Sequence, residues 1–352
     1  MTGVPATGAR AGEAFTRAAA PLAEVTRGDD RRGRPFVESV HLGHLVLVRG
    51  EPGTGGEGGP GSDGRDGLGA CVALGGADVE VFVRSAAKPL QAAACLALLD
   101  DLPLTAEQIA IGWASHRGET RHLDAVEGLL RHAGIPASAL SCPPAVAEAA
   151  PGGSPSRIQH NCSGKHALFA VAGQRLGVGR DDLLDPDGEL QRFVLDALGR
   201  RIAITGVGVD GCGAPAVIAR LDALAWAYAD LGASDWGAQV RDAGFAAPGL
   251  VGGEGRLESA LLAAGVVAKV GAEGVYGVGW VDDRGRPCGL AVKALDGNPR
   301  GAATATVTVL EELGVVPGGT WASPPPLGGG VPVGEVRASR EVHALAERFA
   351  AG

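Results

Sequence analysis

Lysine is scarce in this sequence of 352 residues. The basic residues are 27 arginines and only four lysines, Lys88, Lys165, Lys269 and Lys293. Asparagine is rarer still, and a bias of this kind is typical of pressure on nucleotide composition. Arginine does not readily release its proton, whereas a desolvated lysine does. The four lysines are therefore candidates for a proton acceptor or a metal ligand.

Other absences exclude whole classes of protein. The formal net charge is −9, so no basic field would attract the phosphates of a nucleic acid. No apolar run reaches the ~20 residues that a membrane-spanning helix needs, which excludes a transmembrane protein. Apolar residues nevertheless make up 45% of the chain, enough to form a core and to exclude wholesale disorder.

A secretory signal and closely spaced cysteine pairs are also missing. The first 20 residues contain no continuous apolar segment of the kind found in a signal peptide. The six cysteines are scattered and include no CxxC pair. We therefore expect reduced thiols, some of them metal ligands, in a cytoplasmic protein.

Strands, then helices, then strands are predicted along the chain. The strands are expected within 37–84 and 266–340, with a glycine-rich flexible loop at 50–68 and a helical region over 86–260. This order predicts a mixed α/β fold of the α+β type. A mostly antiparallel sheet built from both ends of the chain would be flanked by helices, with a helical subdomain beside it. The expected division is a flexible leader at 1–20, a single catalytic unit at 21–340 and a tail at 341–352.

The first chemical motif is a serine and a lysine three residues apart, Ser85 and Lys88, followed by Pro89. On a helix this spacing places both side chains on one face, so the amine can reach the hydroxyl. A proline is tolerated only in the first helical turn, which predicts that the helix begins near Ser85. A neutral Lys88 could then accept the Ser85 proton and prepare the serine to attack an acyl group. The alternative is a serine cap followed by a solvated lysine.

The second motif is the polar segment WASHRGE at 113–119. Its serine, histidine, glycine and glutamate could hydrogen-bond a small ligand. The alternative is a helix that is capped by Ser115 and carries Glu119 in its first turn.

Two further segments could form a metal site. QHNCSGKH at 159–166 gathers several of the rarest residue types, and Cys162 and Lys165 could converge on one centre. VDGCGAP at 209–215 adds Cys212 in a tight turn. Two thiolates favour zinc, with water or a neutral Lys165 completing the coordination. The alternatives are buried free cysteines and a phosphate-binding glycine loop, for which the Walker A spacing is absent.

The last motif is AKVGAEGV at 268–275, which places Lys269 on a predicted strand beside glycines. This pattern is similar to the edge-strand lysine of serine acyl-transferases, where small neighbours let a substrate lie along the strand. The alternative is an ordinary strand lysine.

Taken in order, RSAAKPLQ, SHRGE, HNCSGKH, DGCGAP and AKVGAEGV resemble the rhizobial-type (class 3) L-asparaginase family over roughly residues 20–340. The resemblance implies a fold like that of serine β-lactamases and glutaminases. It also implies a homodimer that hydrolyses a small-molecule substrate, L-asparagine, to aspartate and ammonia. The segment between Pro215 and Lys269 is short for that family.

The resemblance assigns roles to individual residues. It implies one catalytic pair of Ser85 with Lys88 and a second of Ser115 with Lys269. It also implies a zinc site with water as the fourth ligand. The zinc ligands are Cys162, Lys165 and Cys212. The candidate substrate-binding residues are Arg84, His116, Gly118, Glu119, Asn161, His166 and Asp210.

Three functions remain open from the sequence. The leading one is an asparaginase with a Ser-Lys nucleophile, in which zinc would position the substrate rather than activate the serine. The second is a glutaminase or a β-lactamase-like serine hydrolase. The third is a non-catalytic protein that binds zinc or an amino acid. Lys293 has no predicted role.

Overall fold

The structure is a computed structural model that describes residues 15–16, 18–29, 32–52 and 69–352. Most of the predicted leader at 1–20 and of the predicted loop at 50–68 lies outside the described residues. The division of the chain into leader, catalytic unit and tail stays a prediction.

A seven-stranded antiparallel sheet forms the centre of the fold. Its strands are β1 (Ala20–Asp29), β2 (Pro35–Arg49), β3 (Ala70–Leu74), β7 (Val267–Gly271), β8 (Val275–Val281), β9 (Pro287–Ala294) and β12 (Val336–Ala338). They lie in the order β12-β1-β2-β9-β8-β7, and β3 pairs with β2. The edge strand β7 is the one that carries Lys269, as the sequence predicts.

Two smaller sheets accompany the central one. Strands β4 (Glu80–Phe82), β5 (Ile204–Val209) and β6 (Pro215–Arg220) form the first, and β10 (Leu327–Gly328) and β11 (Val331–Pro332) form the second. The region predicted as helical over 86–260 therefore also contains two strands. Alternating glycines give β5 little apolar pattern, which explains why the sequence does not reveal it.

Eleven helices of the described residues are α1 (Lys88–Leu96), α2 (Ala106–Gly112), α3 (Thr120–His132), α4 (Ser163–Arg175), α5 (Glu189–Gly199), α6 (Leu221–Ala233), α7 (Ala238–Ala246), α8 (Pro248–Val251), α9 (Leu257–Ala263), α10 (Pro299–Glu312) and α11 (Arg340–Ala351). Helices α1 to α5, α7 and α8 belong to the helical part of the chain. None of the helices in the described ranges is long and apolar enough to cross a membrane.

The sheet has a buried face on each side. Helices α10 and α11 cover one face, where Leu45, Leu290, Val292, Leu310 and Leu345 are fully buried in one core. Helix α6 covers the other face, and the core there continues into the helical part of the chain. The predicted mixed α/β fold, an antiparallel sheet flanked by helices, is confirmed.

Helix α6 lies against the sheet because glycines line its path. A Cβ atom added to Gly279 would lie 1.9 Å from the carbonyl oxygen of Tyr228, and one added to Gly289 would lie 1.9 Å from that of Ala225. The buried hydroxyl of Tyr228 in turn donates to the carbonyl oxygen of Ala86 at 2.7 Å. The sheet, helix α6 and the turn that carries Ser85 are therefore held together.

Replacing Gly279 with alanine tests this contact. We expect Gly279→Ala to lower the free energy of unfolding in urea by about 3 kcal/mol or to prevent folding, because backbone must move to admit the Cβ. The matched control is Gly128→Ala in helix α3, where no atom lies within 4 Å of the new Cβ. That change should be neutral or stabilise by up to about 1 kcal/mol. Equal stabilities of the two variants would contradict the close approach.

Candidate active site

Two buried lysines meet at one serine hydroxyl. Lys88 Nζ donates to Ser115 Oγ at 3.0 Å, and Lys269 Nζ donates to the same oxygen at 2.8 Å. Each amine has a second acceptor, the carbonyl oxygen of Ala114 at 2.6 Å for Lys88 and that of Val270 at 2.9 Å for Lys269. Residues from helix α1, from the loop after α2 and from edge strand β7 thus form one hydrogen-bonded cluster.

Backbone hydrogen bonds fix the loop that carries Ser115. The Ser115 N–H donates to the carbonyl oxygen of Val251 at 2.8 Å, and the His116 N–H donates to that of Asn161 at 3.2 Å. The serine therefore sits between helix α8 and the segment before helix α4. It does not cap a helix, because the residue at the start of helix α3 is Glu119.

Ser85 lies in a 3-10 turn, Arg84–Ala87, that leads directly into helix α1 at Lys88. Pro89 occupies the first turn of that helix, as expected. Ser85 is half-buried, and the Lys88 amine is hydrogen-bonded to Ser115 rather than to Ser85. The predicted partners Ser85 and Lys88 lie three residues apart in the chain, but the Lys88 amine contacts the second serine, Ser115.

The turn before Ser85 is strained and tightly packed. Arg84 has φ 54°, a left-handed backbone conformation that is costly for a side chain with a Cβ. Strand β7 reaches this turn at Gly271, where an added Cβ would lie 2.9 Å from the Val83 carbonyl oxygen and 3.3 Å from the Ala86 nitrogen. Strain of this kind persists only where surrounding contacts enforce it, and here the edge strand does so.

Burial makes Lys269 an unusual amine. Its side chain is fully buried, and this desolvation lowers the pKa of Lys269 to about 7. An amine with that pKa exists in both protonation states near neutral pH. Lys269 can therefore accept or donate a proton where an arginine could only stay charged.

An ion pair flanks the cluster. Arg84 Nε donates to Asp210 Oδ1 at 2.9 Å, and the Gly211 N–H donates to the same oxygen at 2.8 Å. Burial raises the pKa of Asp210, but Lys165, the Gly211 N–H and Arg84 outweigh it and lower the pKa overall. A fixed positive and a fixed negative charge thus lie side by side next to Ser85.

The predicted metal ligands also converge. Lys165 Nζ donates to Cys212 Sγ at 3.2 Å. A hydrogen bond from the Cys212 thiol, together with the charges of Lys88 and Lys165, lowers the pKa of Cys162 despite its burial. Burial lowers the pKa of Lys165, but the two thiols and Asp210 outweigh it and raise the pKa. The two thiols therefore lie close to both the Lys165 amine and the Ser-Lys cluster.

The approach of helix α4 to helix α2 places these thiols. A Cβ on Gly164 would lie 1.9 Å from the carbonyl oxygen of Ile111, so only glycine permits the contact. The start of helix α4, with Cys162 and Lys165, is thereby brought next to the loop of Ser115.

Whether these residues suit a metal depends on their donor atoms. In the described ranges, no group of three or more histidine, cysteine, aspartate or glutamate side chains could hold a metal ion. The predicted set differs from such a group, since it consists of the thiols of Cys162 and Cys212 and the amine of Lys165. Two adjacent thiols and a nitrogen match the preference of zinc for soft donors. His166 beside them is buried, and neither ring nitrogen has a hydrogen-bond partner.

The remaining candidates shape the loops around the site. His116 is fully buried, with Nδ1 accepting from the Gly118 N–H at 3.1 Å and Nε2 lying 2.9 Å from Ser163 Oγ. Ser163 Oγ donates to the Ile158 carbonyl oxygen, which makes His116 Nε2 the donor. Both ring nitrogens are thus used inside the protein. At Gly118, with φ 74°, an added Cβ would lie 2.5 Å from that of Ala147.

Glu119 and Asn161 lie at the rim of this region. Glu119 pairs with Arg121 at 2.6 Å and begins helix α3. Asn161 is exposed, and its Oδ1 accepts from Cys162 Sγ at 3.3 Å.

Sequence reasoning missed Tyr228, which supports the Ser85 turn, although it is one of only two tyrosines in the chain. Their scarcity was the available signal.

The sequence profile of the L-asparaginase II family matches residues 24–338. The chain belongs to the L-asparaginase II family. The resemblance drawn from the motifs is confirmed.

No curated protein is significantly similar to the chain. The crystal structure of Mglu in its native form is 16% identical, with a TM-score of 0.34, and the match covers 76% of this chain and 63% of that one. A second crystal structure of Mglu is 16% identical with a TM-score of 0.36, covering 78% and 67%. The chain thus spans less than two thirds of the native-form Mglu chain.

The buried histidines predict a loss of stability in acid. Burial lowers the pKa of His116 to about 3 and that of His166 to about 4, whereas an unfolded histidine has a pKa of about 6.5. Between these values the unfolded state binds more protons, so the free energy of unfolding should fall as the pH decreases from 7 to 5. Urea unfolding at several pH values measures this slope.

The His116→Asn variant should show a shallower slope between pH 7 and 5 than the parent protein. His132→Gln, which removes an exposed histidine from helix α3, is the control and should keep the parental slope. An unchanged slope in His116→Asn would show that the buried ring does not stay neutral.

Proposed function

We propose that this protein is an amidohydrolase that converts L-asparagine to L-aspartate and ammonia with a Ser-Lys nucleophile. The observation that carries the proposal is the contact of Ser115 Oγ with two buried lysine amines at 2.8 and 3.0 Å, one of which follows Ser85 in the chain by three residues. A protein that only binds an amino acid or a metal has no need for two such amines on one hydroxyl.

Ser85 is the proposed attacking group. Its hydroxyl loses a proton to the Lys88 amine as the oxygen bonds to the side-chain amide carbon of asparagine. Backbone N–H groups at the start of helix α1, including that of Ser85, would hold the resulting oxyanion. Ser85 is half-buried, so the substrate can reach it, and the helix start is electrostatically suited to a developing negative charge.

Ser115 is the proposed proton relay. Its hydroxyl touches Lys88 on one side and Lys269 on the other, so a proton accepted by Lys88 can move through Ser115 to the departing nitrogen. The pKa of Lys269, lowered to about 7 by burial, suits an amine that gives and takes this proton. Water then cleaves the aspartyl ester and frees Ser85.

The pair of Arg84 and Asp210 is proposed to recognise the amino-acid end of the substrate. The guanidinium would bind the α-carboxylate, and the carboxylate would bind the α-ammonium group. Asp210 can do so because its pKa is lowered, despite burial, by Lys165, the Gly211 N–H and Arg84. Glutamine carries the same α-carboxylate and α-ammonium groups on a longer side chain, so this recognition would also fit glutamine. A glutaminase is therefore the second candidate.

A zinc ion is proposed as the cofactor, held by Cys162, Lys165 and Cys212. Bound there, zinc would position the substrate rather than activate the serine. Lys165 must lose a proton to become a ligand, and the thiols must do the same. The catalytic steps above belong to the serines and lysines. A homodimer in the cytoplasm also stays a proposal.

Substitution of Ser85 or of Lys88 tests the proposed reaction. Ser85→Ala should lower the rate of ammonia release from L-asparagine at least about 1,000-fold, because covalent catalysis is lost. Lys88→Arg should cause a loss of similar size, since arginine keeps the charge but does not accept the proton. Ser141→Ala, which lies outside the site, is the matched control. Near-normal turnover by Ser85→Ala would overturn the assignment, and faster release from L-glutamine would favour the glutaminase.

Metal content tests the zinc site independently of activity. We expect about one zinc per chain by atomic emission after dialysis against zinc buffer, and its loss from Cys212→Ser. Cys71→Ser, which replaces an exposed cysteine far along the sheet, should retain the zinc. Absence of zinc from the parental protein, or its retention by Cys212→Ser, would contradict the proposal.

A further inference from the structure

Glu258 is a buried acid that the reaction described above does not use. It lies in the first turn of helix α9 with only 1% of its surface exposed. Burying a carboxylate in this way is costly unless an opposite charge lies nearby.

The carboxylate of Glu258 packs directly on the backbone that anchors Ser115. An added Cβ on Gly252 would lie 2.7 Å from Glu258 Oε1 and 2.8 Å from its Cγ. Gly252 follows Val251, whose carbonyl oxygen accepts the Ser115 N–H at 2.8 Å. Glu258 therefore touches the residue next to the anchor of the proposed proton relay.

The Glu258 carboxylate also has an electrostatic effect on Lys269. Helix α9 packs on strand β7, and among charged groups Glu258 has the strongest influence on the pKa of Lys269. Burial lowers that pKa most, Glu258 and the Cys162 thiol raise it, and Lys88 and Arg256 lower it. Arg256 is itself paired with Glu148 at 2.6 Å, so its charge has a partner of its own.

We propose that Glu258 is a positioning residue, whose carboxylate is the counter-charge that lets buried Lys269 carry a proton and whose packing on Gly252 keeps Ser115 within reach of that amine. The catalytic meaning of this pairing rests on the proposed function. The pairing itself does not, because it concerns the protonation of Lys269 in the resting protein.

The scarcity of lysine permits a direct test. With ¹³C- and ¹⁵N-labelled lysine, the full chain has only four side-chain signals to follow by NMR. Lys269→Arg identifies the signal of Lys269. We expect Glu258→Gln to move the titration midpoint of Lys269 from about 7 to lower pH, by about one pH unit. Glu254→Gln removes the same charge from an exposed position of the same segment and should leave the midpoint unchanged.

An unchanged midpoint in folded Glu258→Gln overturns the proposal. If that variant does not fold, Glu258→Asp keeps the charge but withdraws it by one methylene, and we expect an intermediate midpoint. A midpoint equal to the parental one then overturns the proposal.

Kinetics separate this inference from the proposed function. In Glu258→Gln, the pH at which kcat changes with the titration of Lys269 should move to lower values together with the NMR midpoint. In Glu254→Gln, that pH should stay at its parental value. If the parental protein releases no ammonia from L-asparagine, the proposed function fails, but the NMR titration still decides the role of Glu258. If activity is present and the pH of this change in kcat does not move in Glu258→Gln, Glu258 does not act through Lys269.

Discussion

The burial of two lysine amines on one serine hydroxyl is the constraint on which the site depends. Lys88 and Lys269 are at most 1% exposed, so neither amine can use bulk water as a hydrogen-bond partner. Each amine instead has Ser115 Oγ and one backbone carbonyl oxygen. Because an unsatisfied buried amine is costly, helix α1, the loop after helix α2 and strand β7 must hold fixed relative positions.

Close backbone contacts support this cluster from the surrounding elements. Glycines at 279 and 289 let helix α6 lie on the sheet, and its Tyr228 fixes the turn of Ser85. Gly164 lets helix α4 bring its thiols to the same place. Interiors packed this tightly transmit small displacements, so residues distant from the serines control the geometry of the reaction.

Much of the fold and the site could be predicted from the sequence. The order of strands and helices predicted the antiparallel sheet with its helical part, and five short motifs predicted the family. The serines and lysines stood out because lysine is rare. The sequence did not predict strand β5, whose glycines hide its apolar pattern, or the contact of Lys88 with Ser115 rather than Ser85. It also missed Glu258, since nothing in the sequence distinguishes a buried glutamate from an exposed one.

By itself, the sequence determined which chemical groups are present and which family the chain belongs to, because motifs and composition are local properties. Only the tertiary structure decided which side chains meet and what protonation states they can have. Lys88 and Lys269 are 181 residues apart, yet they share one hydroxyl. The pKa of Lys269 follows from its burial and from the charges that face it, and both arise only when distant segments pack together.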